Sequence, residues 1–324
     1  MTTSLAPPSR DETATRLLRA SAEHSYDPLT EIDWDAPLRP LAYWQPPERS
    51  SLYGTRLWGQ LTEEQRVELT KHEIASIASV GIWFELILMQ MLIRDLYRRD
   101  PRTAHVQYGL TEIGDECRHS VMFARMIEKM DCPAYGPGPV AHALGRYFKA
   151  TSRGPLSFGA ALYVEEILDI RQREAMRDES LQPLSREVSR LHVVEEARHM
   201  RYARDEVARK FGELSRLEKE HTRLEFAVVA LIANRRLIHP DVYRAVDLDP
   251  KQAARVARRN PHWRETQRWA AQRITKFGLE VGLIGGPTTV IWQVQGLLEK
   301  PSRRRRTTAA VRRMWRRLPV FRRT

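Results

Sequence analysis

The sequence predicts an all-α protein, a helical bundle built from two antiparallel helix hairpins with additional helices around them. Three observations carry this. Long stretches rich in Ala, Leu, Glu, Arg and Met with few β-branched runs favour helix over sheet. Pro and Gly cluster at Asp100-Pro101, between Pro133 and Pro139, and at Gln182-Pro183, cutting the chain into long helical segments. A charged motif recurs at the same place in two of those segments.

With 324 residues, 42% of them apolar, the chain has material for a large core. Residues 1–60, rich in Pro, Trp and charge, read as an extended N-terminal arm in which only Asp11 to Glu23 has a helical stripe. Residues 61–300 form the helical domain. Its first helix opens at Thr62-Glu63-Glu64-Gln65, an N-cap with acidic first-turn residues and a capping-box Gln, and runs to about Arg99. A second helix, Ala104 to Met130, completes the first hairpin. Helices over Ala141 to Lys149, Ser157 to Arg177 and Ser185 to Phe211 follow, the last two forming the second hairpin. Further helical pattern covers Leu217 to Leu237, Val242 to Val246, Pro250 to Arg258, His262 to Gly278 and Thr288 to Lys300.

Ten of the +12 formal charges are arginines between Ser302 and Thr324, where no acidic residue occurs, which leaves the first 301 residues at +2. A basic groove for nucleic acid is therefore not expected in the body, and any polyanion or membrane contact belongs to the 301–324 tail. In that tail Val311, Met314, Trp315 and Leu318 align opposite Arg312, Arg313, Arg316 and Arg317, a basic amphipathic pattern that suits weak contact with an anionic membrane; a solvated disordered tail is the alternative. Cys117 and Cys132 form neither a disulfide framework nor a zinc pattern, and the first 19 residues lack the apolar run of an export signal, so a cytoplasmic location is expected.

Residues Ile74 to Ile93 are almost wholly apolar, yet carry Glu85 near their middle. A buried carboxylate costs several kcal/mol unless a cation or strong hydrogen bonds offset it. A membrane span is disfavoured by the charged helix continuing on both sides; a protonated core Glu and a metal ligand remain open. The second helix contributes Glu116 and His119, one face of a helix at Glu-x-x-His spacing. One such pair arises by chance. The second hairpin repeats it as Glu196 and His199, and each copy follows another Glu by 31 residues: Glu85 before Glu116, Glu165 before Glu196. Each spacing has its midpoint at a hairpin turn, so the carboxylates of each pair face one another. Four carboxylates and two imidazoles from two hairpins match dinuclear sites in ferritin-like bundles, whereas two unrelated salt-bridge clusters would need the register to coincide by accident. Oxygen-rich ligation with imidazole and no thiolate favours iron or manganese over zinc.

His192 lies within about 60° of arc of Glu196 and His199 and adds a third imidazole, or else is a core histidine bonded to its own helix. Glu166, Glu195 and Asp115 point one residue step away, as surface groups or groups behind the ligands. Glu112 and Asp169 share the ligand face one turn away and are placed to orient the histidines. Glu73, about 120° around its helix from Glu85 in a polar stretch, is not selected.

With Glu85, the run Thr111 to His119, Glu165 and the run His192 to His199 in place, the chain resembles the AurF-type p-aminobenzoate N-oxygenases over roughly Ile32 to Gly285. The resemblance implies a non-haem di-iron enzyme that uses O2 to oxidise arylamines, two iron ions held by Glu85, Glu116, His119, Glu165, His192, Glu196 and His199, and a homodimer. It extends neither to an amine-binding residue nor to the basic tail. Trp83, Leu88, Met89, Leu162 and Val193 are expected to keep the cavity dry. No Gly-rich dinucleotide fingerprint occurs and two cysteines are too few for a ferredoxin cluster, so a separate electron donor is expected. The alternative is a ferritin-like iron-binding or ferroxidase protein without an organic substrate.

Overall fold

The computed structural model describes residues 9–299, and no strand occurs among them. The N-terminal arm holds α1 (Arg10–Glu23), α2 (Pro28–Glu31) and α3 (Arg56–Gln60), linked by extended segments. Ser9 caps α1 in a full capping box, and Arg10 forks onto both oxygens of Glu206 at 2.9 Å, fixing α1 across the bundle. Farther along, Gln182 exchanges hydrogen bonds with the Arg39 backbone and Tyr43 accepts from the Gln182 N–H, so the arm is tied to the turn of the second hairpin. The amphipathic pattern read in the basic tail lies outside the described residues.

The first hairpin is α4 (Glu63–Leu96) and α5 (Ala104–Lys129). Thr62 and Gln65 form the expected capping box, and Asp100 with Thr103 closes the turn. By length and composition α4 could cross a membrane, but 72% of its most apolar window is buried in protein, and α5, α6 (Pro139–Thr151) and α7 (Pro155–Ala175) pack along it. The second hairpin joins α7 to α8 (Pro183–Glu213), its turn ending at Gln182-Pro183. Packing of α4 on α7 and of α5 on α8 completes a four-helix, ferritin-like core. Around it lie α9 (Arg216–Arg236), a 3₁₀ segment at Pro240–Val246, α10 (Pro250–Arg259), α11 (Pro261–Ala270), α12 (Gln272–Glu280) and α13 (Thr289–Val294).

Three peripheral helices differ from expectation. The stretch from His262 to Gly278 is not continuous: at Ala271 ψ opens to 2°, and the bend lets α11 and α12 both follow α7, burying Trp263 and Ala270 on one side of it and Ile274 and Phe277 on the other. Val242 to Val246 winds as 3₁₀ rather than α. The last predicted helix is shortened to α13 because Gly296, at φ +79°, turns the chain left-handed, and the Leu297 N–H returns to the Trp292 carbonyl at 3.0 Å, a C-terminal glycine stop.

Candidate metal centre

All seven residues selected from the sequence converge between the two hairpins. Glu85 comes from α4, Glu116 and His119 from α5, Glu165 from α7, and His192, Glu196 and His199 from α8; none is more than 4% exposed. Their donor atoms fall into three overlapping groups, each within 4.8 Å: Glu116, His119, Glu196 and His199; Glu85, His119 and His192; and Glu165, His192 and Glu196. His199 Nδ1 lies 3.2 Å from Glu116 and 3.1 Å from Glu196, and His119 Nδ1 lies 3.2 Å from Glu196. The i, i+3 spacing on a helix and the hairpin register are what bring these atoms to one centre.

The histidines are held from behind. His119 Nε2 meets Glu195 at 2.9 Å, His199 Nε2 meets Asp115 at 3.1 Å, and His192 Nδ1 meets the Gln172 carbonyl oxygen at 2.8 Å. Each outer nitrogen therefore carries a proton; against the opposing effect of burial, the surrounding carboxylates hold His119 and His199 well above 6.5, so their inner nitrogens would give up a proton to ligate a metal, whereas His192, kept neutral by burial, already turns a lone pair to the centre. Arg118 and Arg198 in turn brace Asp115 and Glu195: Arg118 pairs with Asp115, and both arginines stand 3.7 Å from Glu195.

This decides one expectation and corrects another. Glu195 and Asp115 are 2% exposed and bonded to imidazoles, and Glu166 is buried against Arg204 at 2.7 Å, so none is a surface group. Stepping one residue around a helix at the centre of a bundle turns a side chain toward the neighbouring helix, not toward water. Glu112 and Asp169 do not orient the histidines: Asp169 holds Arg173 and Arg273 at 2.8 Å, and one oxygen of the buried Glu112 has no partner among the described residues. Burial pushes Glu112 up to about 8.

The electrostatics call for cations. Burial and the neighbouring carboxylates Glu196, Glu116 and Glu85 hold Glu165 well above the usual range, and burial with Glu116 pushes Glu85 up to about 8. Burial keeps His192 neutral down to about 4. Both Glu116 oxygens, Glu196 Oε2, His119 Nδ1 and His192 Nε2 have no hydrogen-bond partner among the described residues. Buried polar atoms left this way cost roughly 1 to 3 kcal/mol each. Two divalent ions satisfy these donors and balance four carboxylates, so the residues fit a dinuclear centre.

Beside the centre the bundle interior opens into a chamber of about 60 Å³. Every core helix lines it at three, four or seven residues from its own site residue: Gly81 and Ala78 on α4, Phe123 and Met126 on α5, Leu168 and Gln172 on α7, Ser189 and Val188 on α8. Phe123 packs tilted against the His192 ring with centroids 4.9 Å apart. The lining also carries Arg171, 9% exposed, whose Nε and Nη2 have no hydrogen-bond partner among the described residues. Burial lowers its pKa to about 10 against the pull of Glu73, leaving it a cation at neutral pH. None of the five residues expected to keep the cavity dry lines this chamber: Leu88, Met89, Leu162 and Val193 are buried elsewhere in the core, and Trp83 packs against Gly145 of α6.

Glu73, passed over in the sequence, is fully buried because the arm covers it: Ser51 donates its N–H at 2.9 Å and Gln45 its amide at 2.7 Å. Burial raises it from 4.5 to about 7. The folded state thus holds this proton more tightly than the unfolded chain, and stability falls as pH rises from 4.5 to 7, by on the order of 3 kcal/mol. Glu73→Gln is expected to lack this loss. Urea denaturation should show the variant gaining on the parent by ~3 kcal/mol between about pH 4 and pH 8; a difference independent of pH would contradict the assignment.

Comparison with known proteins follows this geometry. The profile of the family described as P-aminobenzoate N-oxygenase AurF matches residues 7–282. Uncharacterised proteins of Mycobacterium tuberculosis and Mycobacterium bovis are 25% identical over 309 residues, covering 89% of this chain and 88% of theirs. Among solved structures, a mutant of an R2-like ligand-binding oxidase with aerobically reconstituted Mn/Fe cofactor is similar at TM-score 0.46 and 15% identity, covering 88% of this chain and 95% of that one. The same oxidase after a long soak gives TM-score 0.42 at 13% identity, with the same coverage.

Proposed function

The chain belongs to the p-aminobenzoate N-oxygenase AurF family, and from that premise we propose that it oxidises the amine of a small carboxylate-bearing substrate with O2, using two metal ions held by Glu85, Glu116, His119, Glu165, His192, Glu196 and His199. The carrying observation is the inward donor set: four carboxylates and three imidazoles, each imidazole tied from behind, with no thiolate among them. Such a set suits iron, with manganese as the other candidate. Bound there, the metals would supply O2 activation and oxygen-atom transfer.

The protein's own residues supply position and dryness. Asp115, Glu195 and Gln172 lock the imidazole rings, and Ser120 donates to Glu85 to fix its carboxylate. Leu88, Leu162 and Val193 keep water from the surroundings of the centre. Arg171, with two guanidinium nitrogens unpartnered among the described residues, is placed to take the substrate carboxylate in a fork, which leaves the amine at the His192 end of the chamber. An aromatic ring needs more than the present volume, since benzene occupies engineered cavities of ~150 Å³. Phe123, Met126 and Leu168 are the side chains that must give way.

The test is metal analysis followed by turnover of p-aminobenzoate with dithionite and isotopically labelled O2. Two metal ions per chain and label in an N-oxygenated product are expected. Iron accumulation with the amine untouched would overturn the proposal.

A further inference from the structure

Behind the chamber, on the outer face of α9, α10 and α11, lies a groove of about 520 Å³ whose lining includes Arg235, Arg255, Arg258, Arg259 and Arg264 and no Asp or Glu. All five arginines are exposed. Arg255 and Arg264 spend their Nε donors on the backbone carbonyls of Lys251 and Arg258, which holds their charge at the rim without neutralising it. The Gln295 side chain adds a donor, Nε2, that is buried and unpartnered among the described residues. The charge count of the whole body, +2, conceals this face because acids elsewhere offset it.

Trp263 lines the groove and is 6% exposed. Its other side meets the Arg171 guanidinium, 5.2 Å from the ring centroid. Arg171 is covalently next to Gln172, whose side chain bonds His192 Nδ1 at 2.8 Å. A single aromatic side chain therefore connects a cationic surface to the back of an imidazole at the metal centre, through one cation–π contact, one stretch of backbone and one hydrogen bond.

We propose that this groove docks a small acidic one-electron carrier protein, with Trp263 and Arg171 on the electron's path to His192. The inference rests on the oxygenase reading, which needs electrons from outside the chain. Each encounter moves one electron out of the carrier's reduced cofactor and makes or breaks no bond, so two encounters supply two electrons. Complementary charge would act chiefly on the association rate and make it salt-dependent.

The experiment measures binding of an acidic [2Fe–2S] ferredoxin to the full-length protein, with and without metal, over a range of salt concentrations, and compares R255E/R258E/R259E with a control, R16E/R98E/R102E, carrying the same charge change on α1 and the α4–α5 turn. The expected result is association that weakens at least about tenfold as salt rises, is lost in the groove variant and persists in the control. Dithionite-driven turnover should be unchanged in the groove variant. Equal loss in both variants, loss only on deleting residues 302–324, or no association at low salt would overturn docking at this groove. Failure of turnover with dithionite would instead count against the oxygenase reading, while the binding comparison still decides the docking site.

Discussion

Glu165→Gln is expected to have opposite effects on the metal-free and metal-loaded protein. Glu165 has no hydrogen bond among the described residues; burial and the facing carboxylates Glu196, Glu116 and Glu85 act on it together. Without metal the folded chain must take up a proton at Glu165 that the unfolded chain lacks at neutral pH, so a neutral amide of the same shape should raise the melting temperature of the metal-free chain. On the proposed assignment the same carboxylate is a metal ligand, and its loss should weaken binding by more than the roughly 100-fold that follows removal of a mere supporting partner. Thermal melts with and without Fe(II), alongside metal content falling from two to one per chain or fewer, would show the crossing. A variant less stable than the parent in both forms would mean that Glu165 is a structural residue.

The second large effect falls on Arg171. Arg171→Met keeps the length of the side chain and removes the guanidinium facing the chamber. A charge-assisted fork contributes roughly 1.5 to 3 kcal/mol per hydrogen bond, so p-aminobenzoate should bind the metal-free protein at least ~10-fold and up to ~100-fold more weakly, with aniline unaffected. Lys in the same place should recover part of the loss, since it restores charge without the planar pair of donors. Calorimetry on the metal-free chain reads this without reference to turnover. Equal weakening for both ligands would indicate a disturbed chamber rather than a lost anchor.

Both hairpins and the convergence of all seven selected residues were legible in the sequence because they rest on periodicity: Glu85 to Glu116 and Glu165 to Glu196 are equal spans bisected by turns. The sequence leaves Asp115 and Glu195 open between the surface and a place behind the ligands, although a signal is present. The two motifs are Asp115-Glu116-Cys117-Arg118-His119 and Glu195-Glu196-Ala197-Arg198-His199, repeating an acid before the Glu and an Arg before the His. Only packing shows that the acid reaches the histidine of the other hairpin. Glu73 and Arg171 had no such signal, since the first is buried by a Pro- and Trp-rich arm of no fixed period and the second by Trp263, 92 positions later in the chain. The break at Ala271 follows from how α11 and α12 lie on α7, which no local pattern encodes.

Asp115 of the first hairpin holds His199 of the second, and Glu195 of the second holds His119 of the first. Only His192, held by Gln172 inside the second hairpin, is aimed without the other half; His119 and His199 are not, so a fragment containing one hairpin would keep its acids but lose the aim of its Glu-x-x-His base. Biogenesis acquires an order from this reciprocity: the halves must mate before cargo can be loaded, so a nascent chain still missing α8 would not capture stray iron.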